Sequence, residues 1–232
     1  MANVTTGQQE ERFRRRLYLP AYRVGDVARY VQTTSQTVAY WRYGGGQLGP
    51  ALPGSQRREP LSYMELIEVA FVAFFRNLGL SLQRLRGART YAAQAFNSEF
   101  PFVEYRWKSE GYHLLMDFDQ FEQSDDFRVV VADRGGQLAW EDLIEDKFAE
   151  FNYEMVGEEN WALRWHPVGR LSKVVIDPRI SFGAPMVEGL PTWVIKGRWK
   201  AQEDVDEIVD DFGITRAAVI DGLRFEGIEA AA

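Results

Sequence analysis

The spacing of apolar residues changes at about Phe100, and this change limits the folds that the chain can adopt. Before it, apolar residues recur at helical spacing, as Val24, Val27 and Val31 do. After it, three segments are rich in β-branched and aromatic residues and are separated by turn-forming residues: 102–107, 112–118 and 127–132. A run of helices followed by a run of strands predicts the α+β class.

Three changes along the sequence divide the 232 residues into four segments: the end of the polar and basic start, the change of apolar spacing near Phe100, and the turn-forming residues Pro167-Val168-Gly169. We predict a flexible basic arm, a winged helix-turn-helix domain, an α+β domain for dimerisation or interaction, and a trihelical, helix-turn-helix-like module, in the order 1–19, 20–90, 91–170 and 171–232. In the third segment an antiparallel β-sheet precedes a predicted helix from Leu138 to about Tyr153. A further strand is predicted from Trp161 to Trp165.

Charge is distributed unevenly along the chain. Residues 1–90 hold thirteen arginines and six acidic residues, a net charge of +7, whereas residues 91–232 hold 14 cationic and 28 acidic residues, a net charge of −14. This segregation indicates that only the amino-terminal part faces a polyanion. Arginine suits bidentate contacts with phosphate and guanine. With no cysteine in the sequence, disulfides and cysteine-based metal or thiol sensors are excluded.

The sequence gives no sign of membrane association or catalysis. No apolar run approaches the roughly 18 residues that span a bilayer, and the start lacks the apolar stretch of a signal peptide, so we expect a cytoplasmic protein. The two histidines, His113 and His166, lack ligand spacing, and the acidic residues lie mostly on amphipathic helices or in turns. We therefore predict no enzyme activity, no catalytic residues, no metal and no cofactor.

Two short predicted helices near the amino terminus follow each other as in a helix-turn-helix. The second runs from Gln36 to Arg42, with Thr34 or Ser35 as its cap. Burial of Val38 and Trp41 leaves its other face to DNA. The candidate DNA-binding residues lie on the first helix, on the second helix or at its cap, and in the glycine- and proline-rich wing: Arg23, Ser35, Gln36, Thr37, Tyr40, Arg42, Arg57 and Arg58.

Two motifs in this region identify a known family. Tyr22 to Trp41 follows Y-x-(I/V)-G-(E/D)-(L/V)-A and then S-x-T-(L/V)-x-x-(W/Y), and Leu78 to Arg86 follows L-G-x-S-L-x-x-I. The chain here resembles the MerR family of transcription regulators, which implies a winged helix-turn-helix that binds DNA. Ala39 stands where that family often has arginine. This difference moves the expected base reading towards neighbouring residues: Gln36, Thr37, Tyr40 and Arg42.

The segment DPRISFGAPMVEGLPT, residues 177–192, carries a second resemblance. It follows D-P-x-I-x-x-G-x-P-x-I-x-G-T-R-I, except that Leu190-Pro191 replaces Thr-Arg, and so it resembles the family catalogued as domain of unknown function 433. The resemblance implies a VapB-like antitoxin that neutralises a PIN-like ribonuclease toxin. Three short helices follow, the last with Thr215 as its cap. We predict partner contacts at Asp177, Arg179, Phe182, Met186, Trp193 and Trp199.

These patterns favour one function and leave one alternative. The favoured function is the antitoxin of a type II toxin–antitoxin system that also binds operator duplex DNA and represses its own operon. We expect a homodimer, because paired half-sites multiply affinity. The alternative is a ligand-responsive MerR-like regulator whose aromatic middle region forms a small-molecule pocket: Phe102, Tyr105, Trp107, Tyr112, Trp161 and Trp165.

Overall fold

The part of the chain that the structure describes combines helices with a five-stranded sheet, as the predicted α+β class requires. The structure is a computed structural model that describes residues 2–44, 49–52, 59–104 and 145–229. The chain divides into two compact units. The amino-terminal unit is Met1–Phe148 with Tyr153–Ala162, and the carboxy-terminal unit is Ala149–Asn152 with Leu163–Ala232. Over the described residues, no helix has both the length and the apolar character needed to cross a bilayer.

The described part of the amino-terminal unit is mainly helical. A 3-10 turn at Pro101–Val103 follows its last long helix. The helices are α1 (Ala2–Leu17), α2 (Val24–Tyr30), α3 (Ser35–Tyr43), α4 (Tyr63–Asn77) and α5 (Leu82–Phe96).

Helix α1 occupies the segment that we expected to be a flexible arm. Its sequence is rich in glutamine, glutamate and arginine, which favour helix, and has no proline. Leu17 is completely buried. Arg14 donates to a carboxylate oxygen of Glu159 at 2.5 Å and lies 5.1 Å from the centre of the Trp161 ring. Contacts along the helix therefore hold it within the unit, which a charge pattern alone does not reveal.

The two helices of the predicted helix-turn-helix are present and pack against each other. The backbone N–H of Thr37 donates to the Thr34 hydroxyl at 3.1 Å, so Thr34 is the cap that fixes the start of α3. Val38 and Trp41 are buried, as predicted. Arg57 and Arg58 of the predicted wing lie outside the described residues.

Arg42, which we predicted to contact DNA, is buried inside the amino-terminal unit. Its side chain is 1% exposed and donates to a carboxylate oxygen of Glu65 at 2.8 Å and to the backbone carbonyl of Glu59 at 3.0 Å. The other oxygen of Glu65 accepts from the backbone N–H of Ser62 at 2.7 Å, which closes a capping box at the start of α4. The prediction for Arg42 was therefore wrong: this guanidinium joins α3 to α4.

A second buried carboxylate joins α4 to the segment after α5. Glu68 is completely buried, accepts from Arg89 Nε at 2.6 Å and from the backbone N–H of Phe102 at 2.9 Å. Burial raises the pKa of Glu68 even though Arg89 and the Phe102 N–H both act to lower it. The carboxylate therefore fixes the place at which the chain turns after α5.

Five strands form one sheet in the order β1 (Phe151–Val156), β2 (Glu159–Trp165), β3 (Val174–Ile176), β4 (Pro185–Val187) and β5 (Leu190–Pro191). The strand predicted at Trp161–Trp165 is confirmed. The helix predicted to reach Tyr153 ends earlier, since residues 145–149 are helical and Phe151 begins β1. The centres of the Phe151 and Trp165 rings lie 5.9 Å apart in a stacked arrangement, and this contact favours the strand conformation at Phe151. Most of the predicted middle sheet, 105–144, lies outside the described residues.

The carboxy-terminal unit contains the predicted trihelical module: α6 (Thr192–Lys200), α7 (Val205–Phe212) and α8 (Arg216–Phe225). Thr215 caps α8, as predicted. The core of the module is apolar, with Ile208, Val219 and Leu223 completely buried. A Cβ on Gly222 would lie 2.9 Å from Ile195 Cδ1, so glycine at this position allows α8 to pack closely on α6.

We predict that the Arg42–Glu65 pair stabilises the fold strongly. Arg42→Met should lower the free energy of unfolding by about 3–5 kcal/mol, because it leaves the Glu65 carboxylate buried without its main cation. Urea denaturation followed by circular dichroism measures this loss. Gln36→Ala, on the exposed face of the same helix, is the control and should stay within about 0.5 kcal/mol of the unmodified protein. Equal stability of the two variants would contradict the prediction.

Candidate functional site

The exposed face of α3 is the first candidate site. Ser35 and Gln36 are exposed and Tyr40 is 46% exposed, while Val38 and Trp41 anchor the opposite face in the core. Thr37 is half-buried, and its hydroxyl lies 2.8 Å from that of Thr34, so it contributes first to the cap. This face therefore presents an amide, a hydroxyl and a phenol from one rigid helix, groups that suit contacts with base edges and phosphates.

Arg23 completes the described part of this candidate site. It is exposed and occupies the residue before α2, in extended backbone conformation. A guanidinium at that position suits a phosphate contact. Of the eight predicted DNA-binding residues, the structure thus leaves Arg23, Ser35, Gln36 and Tyr40 exposed. It buries Arg42 and gives Thr37 a structural hydrogen bond.

The six predicted partner-binding residues separate into three groups by exposure. Phe182 is 82% exposed, Trp193 is 62% exposed, and Arg179 is exposed as well. Trp199 is partly buried against the core of the trihelical module. Asp177 and Met186 are 1% and 4% exposed, so neither can meet a partner directly and the prediction was wrong for both. Met186 lies in β4, whose three residues are all buried.

Asp177 instead organises the loop between β3 and β4. Its carboxylate accepts from the backbone N–H of Arg179 at 2.9 Å and from the Arg179 guanidinium at 2.7 Å, while Arg164 lies 3.4 Å away. Burial by itself would raise the pKa of Asp177, but these donors and charges outweigh burial and hold the pKa below its usual value. The ionised carboxylate therefore fixes the loop that follows it.

That loop holds Phe182 in an unusual backbone conformation. Ser181 and Phe182 have φ values of 46° and 54°, in the left-handed region that bulky residues rarely adopt. Such a conformation costs on the order of 1–2 kcal/mol per residue. The N–H of Gly183 donates to the carbonyl of Ile180 at 2.9 Å, which helps to maintain it. Strain that keeps an aromatic side chain in solvent is typical of a binding loop.

Strand register brings the two exposed aromatic residues to the same end of the sheet. In the β4–β5 hairpin, Met186 pairs with Pro191 and Val187 pairs with Leu190. The start of β4 and the end of β5 therefore lie together. Phe182 comes shortly before β4, and Trp193 comes shortly after β5. We call the exposed residues at this end of the hairpin the aromatic end: Arg179, Ile180, Phe182 and Trp193.

Charge within the carboxy-terminal unit is divided by sequence position. Residues 163–200 hold seven cations and two acidic residues, whereas 201–229 hold two cations and nine acidic residues. The net charges are +5 and −7. The aromatic end lies in the cationic part of the sequence, but the two parts are joined in space, since Lys196 pairs with Glu226 and Arg198 pairs with Glu203 and Asp211. The overall count for residues 91–232 concealed this division.

The described residues give little support to the alternative of a ligand pocket. Phe102, Trp161 and Trp165 are at most 3% exposed and belong to the core. Tyr105, Trp107 and Tyr112 lie outside the described residues. Within the ranges that the structure describes, no group of three or more histidine and acidic side chains is placed to hold a metal ion.

Sequence reasoning missed Ile180 and Gly197 as surface features. Ile180 is 45% exposed beside the strained loop. Gly197 interrupts the middle of α6, and such an isolated glycine in a helical pattern was a signal that the sequence offered.

Comparison with known proteins identifies part of the chain and the fold. Residues 174–225 match the family model described as protein of unknown function DUF433. The crystal structure of Rv2018 from Mycobacterium tuberculosis is similar, with a TM-score of 0.72 and 23% sequence identity over 90% of this chain and 99% of that chain. At this identity the similarity shows a shared fold. No curated protein sequence matches the chain.

We predict a pH-dependent contribution of Asp177 to stability. Because folding lowers its pKa, the ionised carboxylate stabilises the folded state above its ordinary pKa of 3.8, and this contribution is lost as the pH falls below that value. Asp177→Asn should cost about 1.5–3 kcal/mol at pH 6, the range for hydrogen bonds to charged groups.

Chemical denaturation of the unmodified protein and of Asp177→Asn between pH 6 and pH 3 tests this prediction. The difference between their free energies of unfolding should become smaller towards pH 3. Asp210→Asn, at an exposed position on α7, is the control and should change little. A difference that is constant across the range would contradict the prediction.

Proposed function

We propose that this protein is a DNA-binding antitoxin, which represses its own operon and neutralises a PIN-like ribonuclease. The observation that carries the DNA-binding part is the two-sided burial of α3. Val38 and Trp41 fix one face in the core, and Gln36 and Tyr40 present the other face to solvent from the second helix of a helix pair. This is the arrangement by which a recognition helix enters the major groove.

Electrostatics supports duplex DNA as the ligand of this face. Residues 1–90 carry a net charge of +7, all of it from arginine. Contacts with phosphates supply the sequence-independent part of the affinity, and contacts with base edges supply the specificity. In this proposal Arg23 contacts phosphate and Gln36 and Tyr40 read bases, with two copies of the chain on paired half-sites.

The aromatic end supports a separate protein partner. Phe182 and Trp193 are large and exposed, with Phe182 on the loop that Asp177 organises and Trp193 on α6, and aromatic anchors of this kind dominate protein–protein interfaces. Their unit contains the residues that match the DUF433 model. The chain thus has one polar face suited to DNA and one aromatic surface suited to protein, on different compact units. An antitoxin that represses its own operon needs both.

We predict that Gln36→Ala weakens binding to the DNA upstream of the protein's own coding sequence by about 1–3 kcal/mol, since one base contact is lost. Fluorescence anisotropy with a labelled duplex at fixed salt measures this change. Gln94→Ala, an exposed glutamine on α5, is the matched control. Arg23→Gln should weaken binding to all duplexes alike and reduce the salt dependence by about one counterion.

The DNA-binding part of the proposal fails under a simple condition. If the unmodified protein binds the upstream duplex no more tightly than a scrambled duplex of the same length, α3 does not read an operator. Gln36→Ala should also unfold at the same urea concentration as the unmodified protein. A loss of binding can then be assigned to the contact rather than to the fold.

We predict that a PIN-like ribonuclease is encoded next to this protein and that the full chain suppresses its toxicity and its RNA cleavage. Trp193→Ala should reduce this suppression, because hot-spot aromatic residues typically contribute 2 kcal/mol or more to binding. Tyr40→Ala, an exposed aromatic residue of the amino-terminal unit, should leave it unchanged. Growth on co-expression and cleavage of labelled RNA are the measurements. Unchanged toxicity with the unmodified antitoxin present would contradict the antitoxin part of the proposal.

A further inference from the structure

Helix α6 contains a glycine that the chain itself does not require. A Cβ built on Gly197 would meet no heavy atom within 4 Å, so no packing contact excludes a side chain there. Gly222 in α8 is different, because its Cβ would lie 2.9 Å from Ile195 Cδ1. Glycine in the middle of a helix is less favourable than alanine. Folding therefore accounts for Gly222, whereas it gives no reason for Gly197.

Gly197 lies on the same face of α6 as Trp193. Helix residues four apart are neighbours, and both residues are exposed, with Trp193 at 62%. The opposite face is committed to the core, where Thr192 and Ile195 are completely buried. The outward face of α6 thus carries a large aromatic side chain beside a position with no side chain, one turn further on.

We infer that this outward face of α6 binds a helix of the partner ribonuclease, with Trp193 as the anchor and Gly197 as the point of closest backbone approach. The inference rests on the proposed antitoxin function. Ridges formed by residues four apart are the features that interlock when two helices pack. A glycine in such a ridge lets the second helix approach closely, and Trp193 then covers its apolar side chains.

The charge around this face defines the chemistry of the bound helix. Lys200 is exposed one turn beyond Gly197, and Arg179 is exposed at the aromatic end. The other two cations of α6 already have ion-pair partners within the unit, Lys196 with Glu226 and Arg198 with Glu203 and Asp211, so the attraction of a carboxylate rests mainly on Lys200. A helix with carboxylates flanking its apolar face complements this surface, whereas a basic helix is repelled. The bound helix is therefore an acidic amphipathic one.

Gly197→Ala separates this role from a role in folding. If folding needed the glycine, the substitution would lower the melting temperature of the free protein, whereas a role in binding alone predicts a higher melting temperature and a weaker complex. In the free protein the substitution should raise the melting temperature by roughly 2–4 °C, since alanine favours helix and its methyl group meets open space. In the complex the methyl group should weaken binding to the purified neighbouring ribonuclease about tenfold or more. Isothermal titration calorimetry and thermal denaturation of the full-length variants give the two values.

Further variants test the anchor and the charge. Trp193→Ala should weaken binding at least about 30-fold, and Lys200→Glu should weaken it more at low salt than at high salt. Gly7→Ala is the matched control for Gly197→Ala. It lies in α1, and its Cβ would likewise meet no heavy atom within 4 Å. Its binding to the ribonuclease should equal that of the unmodified protein.

The binding measurements distinguish failure of the proposed function from failure of this inference. If the unmodified protein fails to bind the ribonuclease, the proposed function fails and this inference with it. If it binds, and both Gly197→Ala and Trp193→Ala bind equally well, only the inference fails. If Trp193→Ala or Gly197→Ala changes the mass of the free protein in light scattering, a second copy of the chain occupies the face and the inference is wrong. A stronger complex with Lys200→Glu would exclude the acidic helix.

Discussion

Glu65 fixes α3 because each of its carboxylate oxygens accepts a different hydrogen bond. One oxygen accepts from the backbone N–H of Ser62 and starts α4, and the other accepts from Arg42 near the end of α3. The direction of α3 is therefore set from α4, a helix buried along most of its length. Since Val38 and Trp41 are held in the same core, the polar face of α3 is presented in one orientation, as the base contacts that we propose would require.

The features that could be predicted from the sequence are mainly local. Thr34 and Thr215 cap the helices that follow them, and apolar spacing correctly predicted the burial of Val38 and Trp41 in α3. These signals act over a few residues, so they survive without knowledge of tertiary contacts. Phe182 and Trp193 were predicted as partner contacts, and both are exposed. Their exposure depends on a backbone conformation and a strand register that only the structure provides.

The errors arose where a charged or aromatic side chain has a partner far along the chain. Arg42 meets Glu65, 23 residues away, and Arg14 meets Glu159, 145 residues away. Read alone, each arginine looks like a ligand for a polyanion. Asp177 was misread for a similar reason. It is buried and accepts from the backbone N–H of Arg179, so it fixes its loop and does not contact a partner. Phe151 lies in a strand and not in the predicted helix, because its stacking on Trp165 outweighs the local helical periodicity.

The ion pairs of the carboxy-terminal unit have a consequence for how partners meet it. Lys196 pairs with Glu226, and Arg198 pairs with both Glu203 and Asp211, so cations of residues 163–200 are joined to acids of residues 201–229. Opposite charges in contact largely cancel each other at a distance, and salt screens what remains. Long-range attraction therefore contributes little to an encounter with this unit. The time for which a partner stays bound, set by short-range contacts with exposed aromatic side chains, is expected to decide the affinity.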